Sequence, residues 1–419
     1  MDLRNVIKSA GLLVVLMAGS TAAFSHYQAF HMEKADIKAV LNGGHVTLTR
    51  AFEAVPADIT FGCADIKYNH GMIRFCECGD GCYMSLRACN IEFNDKHYWE
   101  VAPFWGLLWN YLKQFELPIW HVGDGGPHQA LALDELRKCG GRYVKTLADI
   151  HREPRFKSAS KKAIEGGAGI RNYQGIVVFR APSECDRDGE AFGKFKRDHP
   201  EFLVVNAVAR NYLKRKDTTY RLFTDAGLAE HIPAFRTYKS EYSDGLAARI
   251  LTEFSNEYLV VKPAFSSCSQ GVNIIHRHAL GNLLQQILRD RHDIPQSAQR
   301  CLSYWRQARP AAFVVSECLE SQIIEVGGKP YDPTMRVMYI MHHDKGTVHV
   351  NILGGFWKIP VKSLSDTGSL TEKRVTIAHA GDQYTGIMVD RMDANVMKQE
   401  MTRILTRLYE TMLLQGPIA

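Results

Sequence analysis

At 419 residues the chain is longer than a single hydrophobic core usually grows, so two or three compact units are expected. Its 46% hydrophobic and 23% charged residues match a folded globular protein and exclude long disorder or a multi-span membrane protein. The formal charge of +6, from 51 basic and 45 acidic residues, is too small at this length to imply nucleic acid, and no such partner is expected.

In residues 1–25, Arg4 and Lys8 precede the apolar run Ala10–Gly19 and the small residues Ser20–Ala23, a pattern that reads as a signal peptide or as an N-terminal helix. The run is about half of the roughly 20 residues that span a bilayer, so no stable membrane span is expected. Localisation therefore stays open between the cytoplasm and export. Residues 26–116 read as an N-terminal cap, with short strand-like runs between Ile37 and Glu92 that form a sheet-containing cap or an elaboration of the next domain. Within it Ile73 and Phe75 alternate as in a strand, and Gly79-Asp80-Gly81 predicts a tight hairpin turn. The cysteines at 76, 78, 82 and 89 match no two-plus-two zinc spacing, so no metal is expected there. A cross-strand Cys78–Cys82 disulfide could form in an exported chain, and free half-buried thiols are expected otherwise.

From Leu117 to about 205 strands and helices alternate. Leu117–Val122 is an apolar strand, followed by a Gly-rich turn and a helix ending at Gly140-Gly141. A strand from Gly175 leads through a polar helical stretch, ending at His199-Pro200, into the strand Phe202–Asn206. This order predicts a mainly parallel, Rossmann-like sheet. The turn after His121 lacks the G-x-G-x-x-G spacing and reads as a plain strand–helix turn. Between them Ala159–Asn172 is basic and then Gly-rich, which predicts a mobile surface loop. Arg152–Lys162 and Lys214, Arg215 and Lys216 are basic clusters that could attract phosphate or simply form solvated faces.

Residues 206–419 carry the chemistry. There is no G-x-x-x-x-G-K-[ST] loop, and Val260-Val261-Lys262 is followed by neither the catalytic loop nor the magnesium triplet of a kinase. Five other pieces occur in order. After Asn206 comes a helix bearing Lys216 with an exit at Gly227 and Pro233. A strand bearing Lys262 then runs into a small-residue loop containing Ser266, Ser267, Ser269 and Gly271. A buried-type strand ends at Glu317, Cys318 and Leu319, with Glu320 and Glu325 beyond it. A strand bearing Arg336 follows, and then the Gly-aromatic-basic segment ending at Lys358.

In this order the five pieces resemble the ATP-grasp superfamily, nearest to its glutathione-synthetase-like and tubulin-tyrosine-ligase-like branches. The resemblance covers roughly the last half of the chain. It implies an α/β (α+β) ATP-grasp fold preceded by a Rossmann-like pre-ATP-grasp domain at 117–205. It also implies an ATP-dependent carboxylate-amine ligase acting through an acyl phosphate, with a carboxylate substrate, ATP and Mg2+. Lys216 and Lys262 would bind phosphates, and the backbone of Ser266, Ser267, Ser269 and Gly271 would approach their oxygens. Glu317, Cys318 and Leu319 would hold adenine, Glu320 or Glu325 would accept from the ribose hydroxyls, and Arg336 would grip the transferred phosphate beside Lys262 as the catalytic pair.

The departure lies in the metal. Family members end with one strand bearing an aspartate and another bearing Glu-x-Asn, which hold magnesium, and no Glu-x-Asn follows Lys358 here. On that reading the domain is C-terminally incomplete and its metal ligands are unknown, with Asp332, His349, Asn351 and Asp382 as conceivable substitutes. The last helix has Val396, Met397, Met401, Ile404, Leu405 and Leu408 at core spacing. Three readings stand: an active ligase with rearranged metal ligands, a nucleotide-binding pseudoenzyme, and a protein-interaction or metal-binding module on the same fold. Neither the substrate nor the oligomeric state is written in these motifs.

Overall fold

The apolar run Thr334–Asp344 has too many consecutive hydrophobic residues for a half-exposed strand, and the reason is that both of its faces are covered. Met335, Val337, Tyr339 and Met341 enter one core, whereas Met338 and Ile340 enter another. The structure, a computed structural model, describes residues 55–79, 89–91, 104–122, 136–138, 140–144, 150, 169–179, 195–213, 215–266, 269–295, 298–376, 384–388 and 391–415. All lie within one compact unit, Phe52–Ala419.

Thr334–Asp344 lies inside a six-stranded sheet. Its order is Met72–Gly79, Asp58–Asn69, Thr334–Asp344, Thr347–Lys358, Tyr384–Met388 and Cys89–Ile91, antiparallel except for the last pair. One face packs on the final helix Arg391–Gln415 through Met397, Met401, Ile404, Leu405 and Leu408. Val396, expected in that core, is 43% exposed. The other face packs on the helix Phe104–Lys113 and on a four-stranded parallel sheet. That sheet has the order Arg142–Val144, Ile119–Val122, Gly175–Phe179 and Phe202–Val204, as the alternation in 117–205 predicts. Asn206 joins the two sheets: with φ +68 it turns the chain, and its side-chain carbonyl accepts the Phe61 N–H at 2.7 Å.

A separate antiparallel sheet, ordered Asn273–His276, Tyr258–Pro263, Ala312–Glu317 and Phe235–Lys239, has its own core. Leu259, Val261, Phe313 and Val315 point into it, against the helices Leu246–Glu253, Leu280–Leu284 and Arg300–Ala308. The alternate residues Val260, Lys262 and Ser316 face the other way, toward the six-stranded sheet.

One expectation needs correction. Residues 58–79 are not part of a separate cap: they supply two strands of the central sheet, with Asp58–Asn69 paired along nine positions to the Arg336 strand. The turn joining these two strands is His70-Gly71, both at positive φ, while Asp80 and Gly81 of the expected Gly79-Asp80-Gly81 turn lie outside the described residues. Cys89–Ile91 runs at the opposite edge of the sheet, beside Tyr384–Met388. The thiols of Cys63, Cys76, Cys78, Cys301 and Cys318 are free, whereas Cys82, residues 1–25 and most of 159–172 lie outside the described residues. Among the described residues no helix is long and apolar enough to cross a membrane.

Candidate functional site

A cleft separates the antiparallel sheet from the six-stranded sheet. Val260, Lys262, Ser316 and the linker Glu317-Cys318-Leu319 form one wall. The helix Lys216–Asp225 adds Lys216 and, one turn later on the same face, Tyr220. Asp65, Lys67, Cys76, Glu77, Thr334 and Lys358 line the opposite side, and Arg374, Val375 and Thr376 close a third.

The hairpin 58–79 owes its place in the site to a β-bulge. Asp65 pairs with Glu77, but the next pair is Ile66 with Phe75, so Cys76 has no opposite residue. A bulge leaves one residue out of the ladder and re-aims its neighbours. Here the freed Cys76 carbonyl accepts from Tyr220 Oη at 2.7 Å and from Lys262 Nζ at 3.2 Å. Glu77 lies directly across the ladder from Asp65, and both side chains border the cleft.

Lys262 is 6% exposed, and its Nζ also donates to Tyr220 Oη at 2.7 Å. Burial, with Lys216 nearby, lowers its pKa to about 8. Lys216 Nζ donates to the Ser266 carbonyl at 2.6 Å and to Ser266 Oγ at 3.2 Å, and meets Glu77 Oε1 at 3.3 Å. Both lysines therefore reach the same end of the cleft from different elements.

Arg336 is held differently from what the resemblance implies. It is 1% exposed, and its Nε and Nη2 each lie 2.8 Å from an Asp65 carboxylate oxygen. Lys358 Nζ adds a third contact to Asp65 at 2.7 Å, and it is Lys358, not Arg336, that borders the cleft. Burial alone would raise the Asp65 carboxyl, but the Arg336 and Lys358 charges overcome it and hold the group well below the usual carboxylate range. The same crowding, led by burial, pushes the Lys358 ammonium down.

Among the other expected residues, Ser269 borders the cleft and donates through Oγ to the Thr376 carbonyl at 2.9 Å. Gly271 serves the turn: at φ +73 it lies where a Cβ would come 2.6 Å from Pro263. Glu317 is bound by Arg74 and by the Ala234 N–H at 3.1 Å. Glu320, 61% exposed, pairs with Arg374 at 2.6 Å. Glu325 is exposed in a two-stranded ribbon and does not border the cleft. Ser267 lies outside the described residues.

The conceivable metal substitutes fare no better. Asp332 is engaged by Lys67 Nζ at 2.9 Å and by the Ser321 N–H at 2.9 Å. His349 and Asn351 are exposed, and His349 lies nine positions up the strand from Lys358, roughly 30 Å at about 3.3 Å per residue. Asp382 lies outside the described residues. Among the described residues no group of three or more His, Cys, Asp or Glu could hold a metal ion. Among the carboxylates that border the cleft, Glu77 meets Lys216 at 3.3 Å and Asp65, across the ladder from it, meets Lys358 at 2.7 Å. Their signal was present in the sequence as an Asp on one strand and a Glu on the next, joined by a Gly turn, but it precedes the rest of the site.

No protein-family model matches the chain, and no curated protein matches it. Among solved structures the chain is similar to a protein described as a candidate gamma-glutamylcysteine synthetase of Methylobacillus flagellatus KT, with 11% identity, 91% of this chain and 94% of that one covered, and a TM-score of 0.45. It is also similar to D-alanyl-alanine synthetase A from Vibrio cholerae, at 10% identity, 70% and 81% coverage and a TM-score of 0.35. A RimK domain protein, ATP-grasp, from Sphaerobacter thermophilus gives 12% identity, 72% and 100% coverage and a TM-score of 0.31.

Proposed function

We propose that this protein binds MgATP in the cleft and acts as an ATP-grasp-type carboxylate-amine ligase. The observation that carries the reading is the convergence, beside the linker Glu317-Cys318-Leu319, of two lysines from one wall with two carboxylates from the other. Five cationic side chains border the cleft (Lys67, Lys216, Lys262, Lys358, Arg374) against three acidic ones (Asp65, Glu77, Glu317), an excess of two that favours a polyanion.

In this reading Lys216 and Lys262 draw the phosphates against the small-residue loop, and the linker backbone reads the purine edge. The Glu317 and Cys318 N–H groups are already bonded to the Ala234 and Tyr258 carbonyls, so Leu319 is the better amide donor. Like charges opposite each other on adjacent strands are unfavourable unless cations offset them. Asp65 has Arg336 and Lys358 for this, and Glu77 has Lys216. Such a pair fits Mg2+, which is commonly held by one or two carboxylates together with substrate phosphates. Glu77 and Asp65 would hold it, and when bound it supplies charge neutralisation at the phosphate oxygens. Lys358, held on Asp65, offers positive charge to an acyl phosphate at the same floor.

Calorimetric titration tests this. The wild-type chain should bind MgATP, Lys262→Ala should bind it about tenfold more weakly, and Glu77→Gln should abolish the difference between ATP affinity with and without magnesium. No binding by the wild type removes the nucleotide reading, and equal affinity in Lys262→Ala removes Lys262 from it. A second reading, nucleotide binding without ligation, is favoured by the three contacts that tie Asp65 to Arg336 and Lys358. ADP release with pooled carboxylates and amines in excess magnesium separates the two.

A further inference from the structure

We infer that Tyr220 is a positioning residue for Lys262, holding the ammonium against the carbonyl freed by the bulge at Cys76 so that it faces the phosphate end of the cleft. The functional consequence rests on the nucleotide reading above, but the arrangement itself does not.

Tyr220 is 1% exposed, and its hydroxyl has a single proton. That proton is committed to the Cys76 carbonyl at 2.7 Å, which leaves only lone pairs for Lys262 Nζ, also at 2.7 Å. Lys262 donates in addition to the Cys76 carbonyl at 3.2 Å, and its Nζ lies 5.0 Å from the centre of the Tyr220 ring. The phenol, the ammonium and the bulge carbonyl thus close a triangle of three elements: the helix Lys216–Asp225, the strand Tyr258–Pro263 and the strand Met72–Gly79. Both partners of the ammonium are neutral acceptors. They fix its direction without cancelling its charge, whereas a carboxylate in the place of Tyr220 would compete with phosphate. The charged and titratable groups around Lys262 are Lys216 from the helix and Cys76 and Glu77 from the bulged strand. With burial they leave its titration close to neutral pH. In that range the loss of one acceptor changes how much of the lysine is charged.

A purely structural role is the alternative, because the Tyr220 ring packs 5.0 Å from that of Phe235 within the core. Tyr220→Phe keeps the ring and removes only the oxygen. In the full chain, MgATP affinity measured from pH 6.5 to 9 should fall roughly tenfold near pH 7.5 in this variant, and the pH at which affinity is lost should move down by about one unit. Without nucleotide, 15N-lysine NMR should show the Lys262 amine titrating at lower pH than in wild type. Should Tyr220→Phe fail to fold, 3-fluorotyrosine at 220 keeps the shape and weakens the acceptor, and it should give a smaller shift in the same direction. An unchanged Lys262 titration in the folded variant overturns the inference. A lowered titration in a protein that binds no nucleotide upholds the positioning and removes only the nucleotide reading.

Discussion

Asp65 shows how a single residue can be indispensable for reasons separate from chemistry. It joins Arg336 and Lys358 at the floor of the cleft, through contacts of 2.7 to 2.8 Å. Replacing it by Asn would leave two buried cations facing each other, and we expect Asp65→Asn to cost about 3–5 kcal/mol in urea denaturation. The pH dependence follows from the direction of its shift. The folded carboxyl is held below its unfolded value of about 4, so its contribution is present above that pH and is lost as pH falls toward the folded pKa. Wild type should therefore lose stability below about pH 4 more steeply than Asp65→Asn, and parallel acid curves for the two would refute the assignment. Arg336→Lys, which cannot form the bidentate contact, should lower stability as well as any turnover.

At the scale of elements, the hairpin 58–79 depends on a close approach that only glycine allows. A Cβ on Gly62 would sit 2.6 Å from the ring of Tyr339, itself fully buried in the neighbouring strand. Gly62→Ala is expected to destabilise by about 1–3 kcal/mol, and a wild-type melting midpoint would show that the ring yields easily. The parallel sheet of 117–205 was legible in the sequence because strands and helices alternate, and the Lys262 strand was legible because a lysine closes an apolar run before a small-residue loop. The hairpin's place was not legible. Buried on both faces, Asp58–Asn69 has no alternation to give away an orientation, and nothing local encodes a strand partner in the other half of the chain. The partner of Arg336 was hidden for a related reason: the sequence specifies a guanidinium, but its carboxylate is contributed by that same distant strand. Tyr220, four residues after Lys216, had only helical spacing to mark it, and a core tyrosine has the same spacing.

At the scale of the molecule, the central sheet is assembled from segments that the sequence assigned to different domains. A fragment of 206–419 would lack Asp58–Asn69 and Met72–Gly79, leaving the buried strand Thr334–Asp344 as an open apolar edge. Such edges pair with other chains. We expect the fragment to aggregate when produced alone, and a monodisperse fragment with native near-ultraviolet dichroism would count against this topology. For a nascent chain the same layout is a delay. Asp65 is synthesised 271 positions before Arg336, so at about 5–20 residues per second the hairpin waits roughly 15–50 s for the strand that covers it. During that interval the edge of Asp58–Asn69 that pairs with Thr334–Asp344 has no partner, and the yield of folded protein should depend on how fast the ribosome moves and on whether a chaperone holds the early segment until the rest emerges.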